Sequence, residues 1–343
     1  MLDQPLTGVK ILAIEQYGAG PYGSMHLADL GAEVIKIEGP GGDTGRSTGP
    51  YMMGDKDSQF FQTFNLNKKT LALDLKDARG REVFERLVAR SDAVINNLRG
   101  DLPSKLKVDY PHLSAIKPSI VCVHLSAYGR DNDRANWPGY DYLMQAEAGF
   151  MHLTGEPGTE PARFGLSIVD YMTGSMAALA LCAALLRVAR GGTGCDMDIS
   201  LFDVALHQLS YPASWYLNSG HVTGRLERSA HPATVPCQLY RCADGWIFVM
   251  AMTVKFWQQL CTLVGREDLL SDERFADVAQ RRQHRKMMTE VLDDVFGQQS
   301  VAHWVALLKS KVPVAPVYDL QQALDSPYVQ DIGMIRPASH PVG

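Results

Sequence analysis

Val9-Lys-Ile-Leu-Ala-Ile14 is a short apolar run, and it is followed by the glycine turn Gly18-Ala-Gly-Pro-Tyr-Gly23. A helical pattern of apolar residues follows the turn, and Glu33-Val-Ile-Lys-Ile-Glu38 has the composition of a second strand. This order predicts a β-α-β unit, and therefore an α/β fold with a parallel sheet that helices cover. Further strands are predicted at Thr70–Leu75, Ala93–Asn97, Ile120–Leu125 and Cys195–Ile199.

The glycine turn matches a dinucleotide-binding pattern. Gly18, Gly20 and Gly23 spell G-x-G-x-x-G after a strand, and Glu38 follows Gly18 by twenty residues. Such a turn offers backbone N–H groups and a helix N-terminus to a phosphate of any nucleotide. The motif alone therefore leaves NAD or FAD open beside other phosphate-bearing ligands.

Composition limits the classes of function. The chain has 343 residues, a length that favours two domains, and it is 46% hydrophobic and 21% charged, as in ordinary globular proteins. A net charge of −5 gives no basic surface for nucleic acid. The six cysteines lack C-x-x-C spacing, and the N-terminus lacks the pattern of a signal peptide. The longest apolar run, Met176–Leu186, is too short to span a bilayer, so we expect a cytoplasmic protein without a membrane partner.

The character of the chain changes near Gly220. A hairpin is predicted over Gln238–Met250 with its turn at Asp244-Gly245, followed by helices and a short strand at Val314–Val317. The helices are predicted at Thr253–Val264, Arg281–Phe296 and Val301–Ser310. We therefore predict a large domain over residues 1–200, a linker over 201–224 and a smaller α+β domain over 225–325.

One isolated carboxylate stands out in the stretch Pro161–Gly174. Asp170 follows an apolar Ile-Val pair and lies beside the start of an apolar helix that is predicted to run to about Arg190. A carboxylate between apolar residues is costly unless it is paired, caps a helix or has a function. Asp170 is therefore either a helix cap or a functional group, and the local sequence does not decide between them.

Other common chemistries lack their motifs. The histidines are scattered without H-x-x-x-H spacing or a cysteine cluster, so no metal site is predicted. No G-x-S-x-G elbow and no phosphate-binding G-x-x-x-x-G-K motif is present. Several cations follow predicted strands, where they form either a solvated face or a site for phosphates: Lys76, Arg99, Lys105 and Lys107.

Several ordered motifs resemble one family, the class III CoA-transferases, which includes formyl-CoA, carnitine and dicarboxylate CoA-transferases. The resemblance covers roughly the first two hundred residues strongly and the smaller domain loosely. The matching segments are Leu30–Glu38, Asn67–Lys69, Leu73–Lys76, Asn97–Gly100, Pro138–Asp141, Gly165–Gly174 and Gly192–Asp198.

The resemblance implies a Rossmann-like large domain, a small domain and a homodimer whose two chains interlock. It implies an aspartate nucleophile at Asp170 and a substrate, coenzyme A or an acyl-CoA, with no metal and no permanently bound cofactor. Residues 326–343 then begin a segment that returns to the large domain. The family's chains usually continue well beyond the position of Gly343 and carry a glycine tetrad that is not evident here. The residues implied to bind CoA are Gly18, Ala19, Leu73, Asp74, Leu75, Lys76, Asn97, Leu98, Arg99, Lys105, Tyr128 and Gly129.

The implied chemistry explains why the nucleophile is a carboxylate. Asp170 would attack the thioester of an acyl-CoA to give an aspartyl-acyl anhydride, and the CoA thiolate would return to form an aspartyl-CoA thioester. An acceptor carboxylate would then reverse the sequence. The glycines near Asp170 are candidate donors to the oxyanions. A helix N-terminus would keep Asp170 ionised.

The 2-methylacyl-CoA racemases share this implied fold and are the alternative function. They need a histidine as a second acid or base, where this chain has Tyr140 in Gly139-Tyr-Asp141. A tyrosine with an ordinary pKa near 10 is poorly suited to that role, so CoA transfer is favoured. A non-catalytic CoA-binding protein and an NAD dehydrogenase are weaker alternatives.

The expected substrates are small dicarboxylates of the succinate, malate, mesaconate or itaconate type. The candidates for contacting them are Tyr140 and two cations, Arg46 and Arg163, which could pair with a distal carboxylate. The missing glycine tetrad favours dicarboxylates over oxalate and formyl-CoA. The sequence does not name the donor or the acceptor.

Overall fold

The computed structural model describes residues 4–340, and the chain divides into two compact units. The first unit comprises the described residues up to Met151 together with Arg163–Val222 and His340, and the second comprises His152–Ala162 and Thr223–Ser339. The strands are β1 (Lys10–Ile14), β2 (Glu33–Glu38), β3 (Met52–Gly54), β4 (Asp57–Ser58), β5 (Lys69–Ala72), β6 (Ala93–Asn96), β7 (Val121–Ser126), β8 (Cys195–Ser200), β9 (Cys237–Arg241), β10 (Trp246–Met250) and β11 (Val314–Pro316).

Helices connect and cover these strands. The helices are α1 (Ala19–Asp29), α2 (Gln59–Asn65), α3 (Ala78–Val88), α4 (Leu102–Lys105), α5 (Tyr110–Leu113), α6 (Asp141–Glu147), α7 (Phe150–Leu153), α8 (Ile168–Ala189), α9 (Leu201–Gln208), α10 (Ser210–Ser219), α11 (Val254–Leu263), α12 (Val278–Gln283), α13 (Arg285–Phe296), α14 (Val301–Leu308), α15 (Leu320–Leu324) and α16 (Pro327–Asp331). Short 3-10 turns lie at Thr44–Ser47, Glu227–Ser229, Glu267–Leu270 and Glu273–Phe275.

The first unit contains a parallel sheet. Within residues 4–340 its six strands lie in the order β5-β2-β1-β6-β7-β8, and all neighbours are parallel. Ile11 of the central strand β1 lies opposite Val34 of β2 and Ala93 of β6. This arrangement confirms the predicted α/β fold with a parallel sheet. The strand predicted to end at Leu75 ends at Ala72, so Leu73–Lys76 forms the loop that follows it.

The two faces of the sheet pack against different helices because side chains alternate along each strand. Ile11 and Ala13 face a core that includes Leu27 of α1 and Leu181 of α8. The residues between and after them in β1 face a second core, whose members include Leu12, Ile14, Phe84, Val88, Val108 and Leu113. The sheet is therefore the middle layer of three, with α1 and α8 on one side and α3 and α5 on the other.

Glycines allow α1 and α8 to pack closely. A Cβ at Gly174 of α8 would lie 2.5 Å from the carbonyl oxygen of Ala19, and a Cβ at Gly23 of α1 would lie 2.6 Å from the carbonyl oxygen of Gly174. Real Cβ atoms do not approach backbone so closely, so both positions need glycine for the observed spacing. Gly174 therefore serves the helix crossing, whereas the sequence offered it as an oxyanion donor.

Helix α8 is longer than the apolar run considered in the sequence. It has 22 residues and is long and apolar enough to cross a membrane by length and composition, and 33% of its most apolar stretch is buried. The sequence argument from Met176–Leu186 was therefore wrong about length. Since α8 packs on the sheet and on α1, its apolar character has an explanation within the first unit.

The second unit is built on a small antiparallel sheet, β11-β10-β9. Strands β9 and β10 form the hairpin around Asp244-Gly245, and Tyr240 packs on Phe296 in the core. The helix predicted over Arg281–Phe296 is divided at His284 into α12 and α13. Arg281 is buried on α12, where its guanidinium donates to the carbonyl oxygens of Val235 and Phe275.

The units divide the chain differently from the predicted domains. Residues 201–224 were assigned to a linker, but they contain α9 and α10 and belong to the first unit up to Val222. Residues 152–162 lie inside the predicted large domain and belong to the second unit. The predicted return segment, 326–343, contains α16 and belongs to the second unit up to Ser339. Residues 1–3 and 341–343 of the predicted segments lie outside the described residues.

We predict that Gly174→Ala destabilises the protein by about 1–3 kcal/mol, because the added methyl group forces α1 away from α8. The intrinsic helix preference of alanine acts in the opposite direction by about 0.5–1 kcal/mol, so a net loss identifies packing as the cause. Urea unfolding measures the change. Gly224→Ala is the matched control, since a Cβ there meets nothing within 4 Å. Equal stability of wild type and Gly174→Ala would contradict the close packing.

Candidate active site

Asp170 lies in the first turn of α8, where it is 8% exposed. The residue before the helix is Ser167, and its side chain makes no capping hydrogen bond. The backbone N–H of Asp170 instead donates to Asp141 Oδ2 at 2.9 Å. Asp141 therefore caps α8, and the alternative in which Asp170 is the cap is wrong.

Asp141 is a functional candidate that the sequence reasoning missed. It is the first residue of α6, is 4% exposed and accepts a hydrogen bond from Gln145 Nε2 at 2.5 Å. Gln145 is fully buried and accepts from the backbone N–H of Phe164 at 2.9 Å. The signal was present, because Gly139-Tyr-Asp141 was recognised as a motif but only its tyrosine was interpreted.

The glycine turn after β1 reaches Asp170. Tyr17 has a φ of 69°, which turns the chain sharply before Gly18 and the start of α1. A Cβ built on Gly18 would collide with Asp170 Oδ2, so only glycine lets the two groups meet. The backbone before α1 and the carboxylate of Asp170 therefore form the centre of the candidate site.

Each glycine of the G-x-G-x-x-G pattern has a packing reason here. Gly18 faces Asp170, Gly20 lies where a Cβ would be 2.9 Å from the Asn97 side chain, and Gly23 faces Gly174. The spacing that is typical of a dinucleotide site thus also serves contacts of α1 and the turn before it with α8 and with the loop after β6. The pattern alone is no evidence for NAD.

The surroundings of Asp170 favour the protonated form of its carboxyl group. Burial raises the pKa of Asp170 to about 7, and the neighbouring carboxylate of Asp141 contributes to the rise. No N–H or O–H group within residues 4–340 donates a hydrogen bond to the Asp170 carboxylate, so nothing stabilises its charge locally. The cost of burial therefore opposes the expected effect of the helix N-terminus and holds the pKa of Asp170 above its usual range.

Aromatic side chains cluster next to Gly18 and Asp170 in the chain. Tyr22 and Tyr171 lie 4.7 Å apart between ring centroids, and Tyr17 packs on Phe60 at 4.9 Å. The exposed Tyr140 approaches Tyr17 edge-on at 6.4 Å. Burial, and next the charge of Asp170, raises the pKa of Tyr171. This arrangement limits the access of water, which would hydrolyse an activated acyl group.

The segments implied to bind CoA follow strands of the parallel sheet. Gly18-Ala19 follows β1, Leu73–Lys76 follows β5, Asn97–Arg99 follows β6, and Tyr128-Gly129 follows β7. Parallel strands place their carboxyl ends at one edge, which is where open α/β sheets bind ligands. The structure therefore brings these segments to the same edge as Asp170.

Some of these side chains already have internal partners. Asn97 Oδ1 accepts from the backbone N–H of Gln16 at 2.9 Å, while its Nδ2 donates to the carbonyl oxygen of Gln16 at 2.7 Å. Arg99 and Lys105 both bind Asp101, at 2.5 and 2.6 Å. The amide of Asn97 thus fixes the turn before Gly18, and Asp101 holds two of the predicted CoA cations together.

The two candidate cations for the substrate differ in their partners. Arg46 makes two hydrogen bonds of 2.7 Å to Glu38 and lies over the ring of Phe61 at 3.9 Å. Arg163 is exposed, stacks on Tyr142 at 4.7 Å and donates only through Nη1 among the described contacts. Arg46 is therefore committed to Glu38, whereas Arg163 retains donors for an anion.

A buried ionic cluster packs beside the turn before α1, and no local sequence pattern predicts it. Lys36 pairs with Asp43 at 2.7 Å, and Lys68 pairs with Glu15 at 2.9 Å, with all four side chains at most 1% exposed. Lys68 also donates to the carbonyl oxygen of Pro21 at 2.8 Å. Because a buried charge is costly without its partner, this cluster fixes the start of α1. No group of three His, Cys, Asp or Glu side chains among residues 4–340 is placed to hold a metal ion.

Comparisons with known proteins agree with this geometry. The model of CoA-transferase family III matches residues 6–343. A mouse succinyl-CoA:glutarate CoA-transferase is 32% identical over 98% of this chain and 78% of that protein. A succinyl-CoA:mesaconate CoA-transferase of Haloarcula hispanica is 29% identical over 98% of this chain and 86% of that protein. A crystal structure of a CAIB/BAIF family protein from Brucella suis has a TM-score of 0.84 and 33% identity, and covers 97% of this chain and 89% of that one.

The chain therefore belongs to CoA-transferase family III, and it is a CoA-transferase. The resemblance drawn from the sequence motifs is confirmed.

We predict that Asp170→Asn raises the stability of the protein more at pH 8 than at pH 5. The pKa of Asp170 rises from 3.8 when unfolded to about 7 when folded, so the unfolded state loses its proton first. Wild-type stability therefore falls as pH rises through this window, by roughly 1–3 kcal/mol. Thermal melts of both proteins across pH 5–8 measure the difference. The exposed Asp55→Asn control should show no such trend, and a pH-independent effect of Asp170→Asn would contradict the raised pKa.

Proposed function

We propose that this CoA-transferase moves CoA from an acyl-CoA to a small carboxylic acid with Asp170 as the nucleophile. The observation that carries the proposal is the buried Asp170 carboxylate, which lies against the backbone of Gly18 at the carboxyl edge of the sheet. With its pKa raised to about 7, it is half ionised near neutral pH and is a strong nucleophile when ionised.

The first half of the reaction transfers CoA to the enzyme. One carboxylate oxygen of Asp170 attacks the thioester carbonyl carbon, the C–S bond breaks, and CoA leaves as a thiolate. The product is a mixed anhydride between Asp170 and the acyl group. The thiolate then attacks the carboxyl carbon of Asp170, which releases the donor as a carboxylate and leaves an aspartyl-CoA thioester.

The second half runs in the opposite direction. The acceptor carboxylate attacks the carboxyl carbon of the aspartyl-CoA thioester. The C–S bond breaks, CoA departs as a thiolate, and a second mixed anhydride forms between Asp170 and the acceptor. The thiolate then attacks the acyl carbon of the acceptor, which forms the new acyl-CoA and restores the Asp170 carboxylate. Each intermediate is an activated acyl group, so the free energy of the thioester is conserved.

CoA is the exchanged group in this proposal, and no permanently bound cofactor is needed. The loops after β1, β5, β6 and β7 would hold it, with backbone N–H groups near Gly18 and Ala19 facing the thioester end. Arg99 and Lys105 are the cations for its phosphates, and they are already held together by Asp101. Lys76 follows β5 on the same edge.

The proposed substrates are succinyl-CoA and small dicarboxylates of four or five carbons. The names of the two relatives combine succinyl-CoA with glutarate and with mesaconate, which supports dicarboxylates on both sides of the exchange. Arg163 is the proposed partner of the distal carboxylate, because Arg46 is held by Glu38. The racemase alternative has no support here, since Tyr140 is 64% exposed and stands where that reaction needs a histidine.

Assembly and location remain predictions. The resemblance implies a homodimer with interlocked chains, and a cytoplasmic location is a prediction of the sequence alone. Light scattering of the purified protein measures the mass in solution, and a monomeric mass would contradict the dimer.

We predict that Asp170→Asn lowers CoA exchange more than about 10³-fold, because an amide cannot replace the carboxylate on which the proposed anhydride forms. The measurement is incubation with a panel of acyl-CoAs and free carboxylates, including oxalate, followed by mass analysis of the CoA products. Hydroxylamine added during turnover should convert Asp170 to a hydroxamate that peptide mass spectrometry locates. If exchange proceeds without this hydroxamate, the anhydride mechanism is wrong.

We predict that Arg163→Met raises the KM for a dicarboxylate acceptor by about tenfold, the cost of one charge-assisted hydrogen bond. The KM for a monocarboxylate such as butyrate should stay unchanged, which provides the control within one variant. Arg46→Met should affect both acceptors alike, because Arg46 binds Glu38. An equal effect of Arg163→Met on both acceptors would contradict its role.

A further inference from the structure

We propose that Asp141 is a positioning residue for Asp170, and that its charge favours acylation of the nucleophile. The proposal rests on the proposed function only in naming Asp170 as the nucleophile. Asp141 Oδ2 accepts the backbone N–H of Asp170 at 2.9 Å. It therefore fixes the first turn of α8 and, with it, the place where the Asp170 side chain meets Gly18.

The hydrogen bonds require an ionised carboxylate at position 141. The backbone orients the amide of Gln145, since Phe164 N–H donates to Oε1 at 2.9 Å and Nε2 donates to the Leu166 carbonyl oxygen at 3.2 Å. Gln145 Nε2 therefore meets Asp141 Oδ1 as a donor, and Asp170 N–H meets Oδ2 as a donor. An asparagine would present an NH₂ group to one of these two donors.

The same helix holds the segment that leads to the nucleophile. Gln145 binds backbone at Phe164 and Leu166, and Tyr142 of α6 accepts a hydrogen bond from Arg163 at 3.3 Å and lies under its guanidinium. With Asp141 included, three side chains of α6 thus contact the stretch between Arg163 and Asp170. The position of Asp170 is set by α6 as well as by its own helix.

The two carboxylates have opposite surroundings. Burial raises the pKa of Asp141, and N–H donors from Asp170, Gln145 and Val169 oppose that effect. Asp170 has no such donors within residues 4–340, so it is the member of the pair that takes up a proton first as pH falls. The other titratable or charged groups around the pair are Tyr22 on α1, Tyr142 on α6, Arg163 in the loop before α8 and Tyr171 on α8.

The charge of Asp141 acts differently before and after the attack. Repulsion between Asp141 and ionised Asp170 raises the free energy of the free enzyme. In the anhydride and in the thioester the Asp170 group is neutral, so that repulsion is absent. Asp141 thereby favours the covalent intermediates over the free carboxylate, while its hydrogen bonds keep the nucleophile in place.

The test compares Asp141→Asn with Gln145→Met in the CoA-exchange assay. Asp141→Asn should lower kcat by about 10- to 100-fold through misplacement of Asp170. It should also move the acid limb of the kcat/KM profile, near pH 7 in wild type, to lower pH. Gln145→Met breaks the same network but keeps the Asp141 carboxyl group, so it should lower kcat and shift the acid limb less than Asp141→Asn does. An unchanged acid limb in Asp141→Asn would overturn the electrostatic role.

A double variant protects the test against misfolding. Asp141→Asn with Gln145→Glu exchanges the amide and the carboxylate. The new amide at position 141 can accept from Asp170 N–H and donate to the new carboxylate at position 145, which accepts from Phe164 N–H and gives up the bond to the Leu166 carbonyl oxygen. This variant keeps the net charge but moves the anion away from Asp170. We expect it to fold and to show the acid limb at lower pH than wild type. A wild-type profile in this variant would overturn the inference.

A stability measurement separates this inference from the proposed function. If wild type exchanges no CoA, the proposed function fails, and the pH dependence of thermal stability still reports on the pair. The gain in Tm from Asp170→Asn at pH 8 should be smaller in the Asp141→Asn or double-variant background than in wild type. Equal gains in both backgrounds would overturn the coupling between Asp141 and Asp170, whatever the reaction is.

Discussion

The contact between the start of α1 and the start of α8 is the constraint on which the candidate site depends. Gly23 and Gly174 let the two helices meet backbone to backbone, and Gly18 then lies against the Asp170 carboxylate. The sheet places β1 in its centre, so the turn after β1 is held between the loops of its neighbours. A larger side chain at any of these glycines would separate Asp170 from the groups that face it.

Two groups of charged side chains lie near that contact, a buried ionic cluster and the carboxyl group of Asp141. The ionic cluster beside the turn before α1 contains two cations and two carboxylates that pair in the core, so its charges balance: Glu15, Lys36, Asp43 and Lys68. Beside Asp170, the carboxyl group of Asp141 accepts N–H donors and makes no ion pair within the described residues. The local field at Asp170 is therefore dominated by one carboxylate, which agrees with the need for a reactive anion at a buried position.

Much of the fold followed from the sequence, because strand composition and glycine turns are local signals. The parallel sheet and the hairpin at Asp244-Gly245 could be predicted in this way, whereas the local sequence left the role of Asp170 open and only the family resemblance implied it. The role of Asp141 could not, because it depends on a contact between α6 and α8 that no local pattern encodes. The break at His284 and the pairing of Arg46 with Glu38 likewise arise from tertiary contacts, which override local preference.

The crossing of α1 and α8 also has a consequence for biosynthesis. Gly18 leaves the ribosome early, whereas Asp170 and Gly174 belong to the last helix before the edge strand β8. A nascent chain that has folded only its first strands therefore lacks the contact between Gly18 and Asp170. Because Gly18 and Asp141 reach Asp170 only in the folded first unit, incomplete chains and partly unfolded molecules present an ordinary exposed aspartate at this position.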